Sequence, residues 1–451
     1  MKPTDLNKSA FDMIYKQFLR ITQPHLSKMI GANRPSPGPW REDPRPRPLK
    51  RHFDPMEKLH QQRKSWKEEK IFDDKHKTIT KINQKSDIDD LRHTYKILCL
   101  DGGGVRGILT TNLLSRIVEH NPKFMDDIDL ICGTSAGGIL ALLLASGYTP
   151  KECNEIYSFA APHIFAHNPW RAINPFRAKY SDLAKQELFQ YYFGERKMID
   201  LEKHCAVISF RLDGRKSQTH SFFNREGWRP AIFSNMPKSA GQVEPDNDLH
   251  VWDACMRTSA APTFFPVFKG YTDGGIVANN PSILAVAKAM AHHPTVTPRN
   301  VAVLSLGAGT YPRHTNVFSS ATARDQVDIL GQTKTIGRAD WGIKQWIPFL
   351  LDLLLDGDSV TTEMVMYYLL GSNGMYHRLE PMLPCQVALD DTTSMEMLAK
   401  YAYEVDLTET LKFVDKKFGN EDMHADDTAG YNSLDNSSQY ADAWERTVDH
   451  I

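Results

Sequence analysis

Past Asp90 the chain alternates short, continuous apolar runs with stretches of helical spacing. Ile97-Leu98-Cys99-Leu100 and Leu130-Ile131-Cys132 have strand length and end in glycine-rich turns, and Ala206 to Leu212 and Val301 to Leu306 read as further strands. Between them Val105 to Glu119 predicts a helix with Leu109, Leu113 and Ile117 on one face. Ile139 to Ala145 predicts a second helix stopping at Gly147, and Asn280-Pro281 opens a third with an asparagine cap and a proline in the first turn. Apolar strands interleaved with helices predict an α/β fold, a three-layer sandwich whose central, mostly parallel sheet is covered on both faces. After Arg324 the pattern turns helical, with helices expected over Trp341 to Leu355 and Val360 to Leu370.

The flanks follow other patterns. Phe11, Ile14, Phe18 and Ile21 fall at helical spacing before Pro24, predicting an amphipathic helix that packs on the main domain or lies on a membrane or partner. Arg34 to His52 alternates proline and arginine, as an extended linker does, and Lys58 to Lys85 is charged and weakly periodic. The division expected is an N-terminal extension over 1–90, a catalytic domain over 95–310, a helical extension packed on it over 311–416, and an acidic, disordered tail over 417–451. The first residues lack the apolar stretch of a secretory signal. The longest apolar run, Trp346 to Leu355, is broken by Pro348 and Asp352 and is too short to cross a bilayer. A cytoplasmic protein, free or peripherally bound to a membrane, is the expectation, with no transmembrane segment.

Composition narrows the function classes. With 451 residues, 41% of them hydrophobic, the chain can bury a sizeable core. A formal net charge of -1 argues against binding nucleic acid through phosphate contacts. The six cysteines, Cys99, Cys132, Cys153, Cys205, Cys255 and Cys385, include no Cys-X-X-Cys pair and read as reduced thiols rather than a disulfide framework or zinc site.

The chemistry sits in the turns. Gly133-Thr134-Ser135-Ala136-Gly137 is a Gly-X-Ser-X-Gly sequence between a strand and a helix, a setting that lifts one hydroxyl above a sheet edge; Gly133 and Gly137 let the backbone crowd close. Ser135 is therefore the candidate nucleophile, although a serine here can also simply cap the helix. In the first turn, Asp101 to Gly107, Gly102, Gly104 and Gly107 fit the dinucleotide fingerprint Gly-X-Gly-X-X-Gly, the reading of an oxidoreductase. That reading wants an acidic residue ending the second strand, which instead ends in Cys132-Gly133-Thr134. The other reading makes the turn an oxyanion hole built from backbone amides around Gly102, Gly103 and Gly104, with Arg106 adding charge or bracing the loop. The best site for a base is Asp273 in Asp273-Gly274-Gly275, which can equally be an ordinary turn; His163, His167, His204, His220 and His250 are alternatives that spacing does not exclude.

Taken together the three turns resemble the patatin-like phospholipases. Asp101 to Gly107 is similar to that family's oxyanion loop, Gly133 to Gly137 to its nucleophile elbow, and Asp273-Gly-Gly275 to the aspartate of its catalytic dyad. Thr258 to Pro266 also resembles the segment preceding that aspartate, and Trp341 to Leu379, with Tyr376-His377-Arg378-Leu379, resembles the helical extension of patatins. The resemblance implies a Ser135–Asp273 dyad without histidine and hydrolysis of fatty acyl esters of phospholipids or related glycerolipids. The substrate partner would be lipid at a membrane or lipid-droplet surface; no cofactor, metal or calcium is expected. The other class of function compatible with this fold is a lipid-binding or scaffold protein with weak or no catalysis.

Overall fold

The computed structural model describes residues 94–419 apart from 167–170, 172–173, 175, 214–226, 237–247, 294, 312–325, 328–332 and 335–342. The expected N-terminal helix and linker, the tail beyond Gly419, His167 and His220 lie outside the described residues.

The sheet is built outward from a buried inner strand. β1 (Tyr95–Leu100) pairs in parallel with β2 (Leu130–Thr134) on one side and β6 (Val301–Leu306) on the other. β3 (His204–Arg211) extends the sheet beyond β2, and β4 (Arg229–Ser234) closes that edge antiparallel. Ile97, Leu98, Cys99 and Leu100 are buried, as are all six residues of β6. This burial on both faces is what a continuous apolar strand requires, since helices must cover each side of a parallel sheet. The covering helices include α1 (Gly107–His120), α2 (Ser135–Ala145), α3 (Pro150–Ile164), α4 (Leu183–Phe193), α5 (Val251–Thr258), α6 (Gly275–Ala278) and α7 (Ser282–His292). The α/β architecture and mostly parallel sheet expected from the pattern are present.

Several boundaries differ from the sequence reading for definable reasons. The second helix starts at Ser135, four residues before its first leucine-rich turn, because Gly137 and Gly138 hide a helical first turn behind residues of poor helix propensity. The two helices expected after Arg324 are one, α8 (Ile343–Leu370), running through Gly357. A single glycine costs a helix only about 1 kcal/mol, and α8 packs on α6 and α7. The C-terminal extension is not wholly helical: Tyr376–Leu379 forms β7, which joins the main sheet in parallel beside β6. Four residues of mixed polarity carry too little alternation to announce a strand. Further helices, α9 (Met395–Glu404) and α10 (Thr408–Phe418), follow; Phe418 is buried against Phe124, so ordered structure passes the expected start of the tail at 417.

Among the described residues no helix is long and apolar enough to cross a membrane. Cys99, Cys132, Cys153, Cys205 and Cys255 are buried as expected, whereas Cys385 lies exposed in the segment after β7.

Candidate active site

Ser135 stands where β2 hands over to α2, with φ of 55°, a left-handed conformation that costs a non-glycine residue on the order of 1–3 kcal/mol. The turn is tight enough that a Cβ on Gly133 would strike the Gly137 carbonyl, so glycine is obligatory there. Strain at this position projects the hydroxyl from the carboxyl end of the sheet, the edge at which open α/β sheets bind ligands. The Ser135 N–H donates to Thr258 Oγ1 at 2.9 Å, and that hydroxyl donates in turn to the Ile208 carbonyl at 2.5 Å.

Asp273 arrives from far along the chain on β5 (Tyr271–Asp273), a three-residue strand pairing antiparallel with the end of β3. Its backbone N–H donates to the Ala260 carbonyl at 3.0 Å, and the Gly274 N–H to the Thr258 carbonyl at 3.4 Å. The Thr258-Ser259-Ala260 segment therefore grips both turns at once. Ser135 Oγ donates to Asp273 Oδ2 at 2.5 Å, and Gly275 N–H donates to Oδ1 at 2.8 Å. Burial raises the Asp273 pKa to about 6, against the opposing pull of the Ser135 and Gly275 hydrogen bonds and the Lys185 charge. A carboxylate poised there accepts a proton more readily than an exposed aspartate.

The glycine loop lies across the same cavity. Gly102 N–H donates to the Asn279 carbonyl and Val105 N–H to the Leu389 carbonyl. The two amides between them, Gly103 and Gly104, donate to no backbone carbonyl among the described residues, and both glycines border the cavity with Ser135, Ala136 and Asp273. Gly104 has φ of +58°, and a Cβ there would collide with the Leu389 carbonyl. Arg106 is turned to bracing: its Nη1 donates to the Gly309 carbonyl at 2.8 Å and its Nε to the Gly103 carbonyl at 3.4 Å, and it does not line the cavity. Of the residues proposed from sequence, Ser135, Asp273, Gly103 and Gly104 thus converge, while Gly102, Arg106, Gly133 and Gly137 shape the turns. His163, His204 and His250 do not border the cavity.

The sequence reading assigned no role to two supporting residues. Arg378 on β7 is buried and pairs with Asp101, at the start of the glycine loop, through Nη2–Oδ2 at 2.7 Å and Nη1–Oδ1 at 3.2 Å. It also bonds Ser305 Oγ at 2.8 Å and the Glu380 carboxylate. The fork geometry of a guanidinium suits such a two-pronged carboxylate contact. Lys185 on α4 is 2% exposed and lines the cavity. Nothing in the sequence distinguishes it from a surface lysine, since α4 lacks a clear apolar stripe.

Most of the remaining cavity wall is apolar, with Leu143, Ile156, Phe189, Phe264, Phe265 and, from α8, Leu351 and Leu355. A hydroxyl–carboxylate pair, unpaired amides and a hydrocarbon wall form a setting for acyl chemistry on a long apolar substrate.

Residues 98–286 match the family model described as patatin-like phospholipase. This segment belongs to the patatin-like phospholipase family. Protein teg of Priestia megaterium is 28% identical over 336 residues, covering 72% of this chain and 99% of that protein. The mouse 85/88 kDa calcium-independent phospholipase A2 is 25% identical over 320 residues, 68% of this chain and 38% of its own length. A cGAMP-activated phospholipase of Vibrio cholerae is 30% identical over 246 residues, covering 49% of this chain and 65% of that protein. The patatin-like segment holds both turns and the Asp273 strand. Its match ends before β6 and β7, so the Asp101–Arg378 pair joins the matched segment to chain beyond it.

Proposed function

We propose that this protein hydrolyses fatty acyl esters of phospholipids or related glycerolipids through a Ser135–Asp273 dyad and an acyl-enzyme. The observation that carries the proposal is the 2.5 Å hydrogen bond from Ser135 Oγ to Asp273 Oδ2, both bordering a largely apolar cavity. Membership of a phospholipase family supports lipid hydrolysis in general; the dyad chemistry is our reading of the geometry.

In the first half-reaction Asp273 Oδ2 takes the Ser135 proton as Oγ attacks the ester carbonyl carbon. The carbonyl oxygen gains negative charge within reach of the Gly103 and Gly104 amides, joined by Ala136 at the start of α2, whose helix dipole has its positive end there. The carbon–oxygen bond to the alcohol breaks, Asp273 returns its proton to the departing oxygen, and lysolipid leaves. A water then attacks the acyl carbon, giving its proton to Asp273, and the collapse of the second tetrahedral species releases fatty acid and restores the Ser135 hydroxyl. General base and oxyanion contributions are each worth about 100-fold or more, so loss of either element nearly silences turnover.

The apolar wall receives the acyl chain. Leu350, Leu353 and Leu354 of α8 are about half exposed, adjoining Leu351 and Leu355 of the cavity wall, and this supports a lipid surface as the source of substrate. A fluorophosphonate probe tests the nucleophile: it should label the unsubstituted protein and not Ser135→Ala. Labelling of Ser135→Ala at the normal rate sinks the assignment. Release of fatty acid and lysolipid from a lipid panel then identifies the substrate class.

A further inference from the structure

Lys185 is an anomaly among the described lysines. Its side chain is fully enclosed, and no carboxylate among the described residues lies within 4.0 Å of its ammonium. Nζ donates to the Ser259 carbonyl at 2.8 Å and sits 3.9 Å from the centre of the Phe265 ring. An enclosed ammonium without a carboxylate partner carries a substantial desolvation cost that one carbonyl and one ring face offset only in part. A leucine or methionine would fill the space without that cost.

We propose that Lys185 is the positioning charge of the dyad, holding Asp273 anionic once an acyl chain fills the cavity and excludes water. The inference rests on the Ser135–Asp273 reading above.

Three observations converge on it. Lys185 borders the same cavity as Ser135 and Asp273. Its carbonyl partner, Ser259, lies between Thr258, which accepts from the Ser135 N–H, and Ala260, which accepts from the Asp273 N–H, so the ammonium is tied to the segment that aligns the two groups. The strongest charge acting on Lys185 is that of Asp273, ahead of Asp182 before its own helix and of Cys255 on α5. The Cys255 thiol and the Tyr157 hydroxyl of α3 are pushed well up by burial and stay neutral, and Asp253 of α5 is engaged by Arg257 and Lys269. Among the described residues Lys185 is thus the one cation acting on Asp273.

The need for that cation grows during the reaction. With the cavity empty, water tempers the burial of Asp273; when an acyl chain occupies it, the carboxylate loses that solvation and its proton affinity climbs. A cation in the wall opposes the climb. Burial pulls the Lys185 pKa down to about 7 and pushes that of Asp273 up to about 6, and each charge favours the ionised form of the other.

The test is the pH dependence of fluorophosphonate labelling and of kcat for a soluble acyl ester in Lys185→Met and Lys185→Gln. Gln keeps a polar donor on a side chain one atom shorter and removes the charge. In both variants the acid limb should move to higher pH by about one unit, a roughly fivefold slower reaction at pH 6 with most of the rate regained at pH 9. Lys185→Arg, which keeps the cation, should return the limb towards its original position. Either neutral variant, folded by its melting curve, with an unmoved limb or an equal loss at every pH overturns the proposal. Normal labelling of Ser135→Ala overturns the dyad reading and Lys185's part with it, whereas a silent Ser135→Ala beside an unmoved limb overturns the Lys185 assignment alone.

Discussion

Thr134 and Asp273 occupy successive stations along the same side of β3: Thr134 ends β2 opposite Ile208, and Asp273 ends β5 opposite Ser209. The serine turn and the aspartate, 138 residues apart in sequence, meet because two strands share one neighbour and one begins where the other stops. Thr258 locks the junction by accepting from the Ser135 N–H while donating to the Ile208 carbonyl. Thr258→Val keeps the shape and strands both partners, and each orphaned buried group costs about 1–3 kcal/mol. A lower melting temperature and a kcat reduced by at least tenfold are expected, read by calorimetry and ester turnover.

The proposed dyad predicts a pH response. Asp273 must be ionised to accept a proton, so kcat/KM should rise through about pH 6 and then level. Stability moves the opposite way. With the folded pKa raised above the unfolded value of 3.8, the contribution of this group is fully present below pH 4 and is lost as pH climbs through 6. Asp273→Asn removes the buried charge and should melt higher at pH 8, by an amount on the order of 2–3 kcal/mol at most, while turning over no ester. An Asn variant with near-normal turnover would return the role of base to another group.

Gly104→Ala tests the loop that faces the candidate nucleophile. A methyl group at φ +58° pressed on the Leu389 carbonyl must displace the loop, so the Gly103 and Gly104 amides leave their positions. Turnover should fall by about 100-fold or more with substrate binding much less affected, a split between kcat and KM that an oxyanion role requires.

Arg378→Met leaves the Asp101 carboxylate buried and unpaired, a change worth about 3–5 kcal/mol in comparable settings. The variant should melt well below the parent. Adding Asp101→Asn should recover part of the loss, because the charge that needed a partner is gone; a double-mutant cycle measures the coupling.

Substituting Leu353 and Leu354 together by glutamate places charge on the exposed strip of α8. Hydrolysis of lipid in vesicles should drop several-fold or more, whereas a soluble short-chain ester, which needs no surface, should be cleaved at the parental rate. Equal loss on both substrates would show that α8 acts through the fold.

The apolar runs of β1, β2, β3 and β6 were legible because buried parallel strands must be hydrophobic on both faces, and the turns holding the candidates Ser135, Gly103 and Gly104 because they demand small residues around a polar one; Asp273 read locally as an ordinary turn and was singled out by the family resemblance. β5 and β7 were not: three and four residues of mixed polarity have no period of their own, and their pairing is set by β3 and β6. Arg378 and Lys185 were invisible for a related reason. Charged side chains read as solvated unless something distant encloses them, and neither Asp101 nor the Ser259 carbonyl lies near its partner in sequence.

The strand that carries Arg378 also sets the smallest piece of this chain worth expressing. A fragment ending after β6 would contain Ser135, Asp273 and both glycine turns, yet would expose the flank of β6 and strip Asp101 of its cation. Such a fragment would retain the candidate catalytic side chains without the strut that holds the start of the glycine loop, so the piece to express runs beyond β7, some way past the segment by which its kinship is recognised.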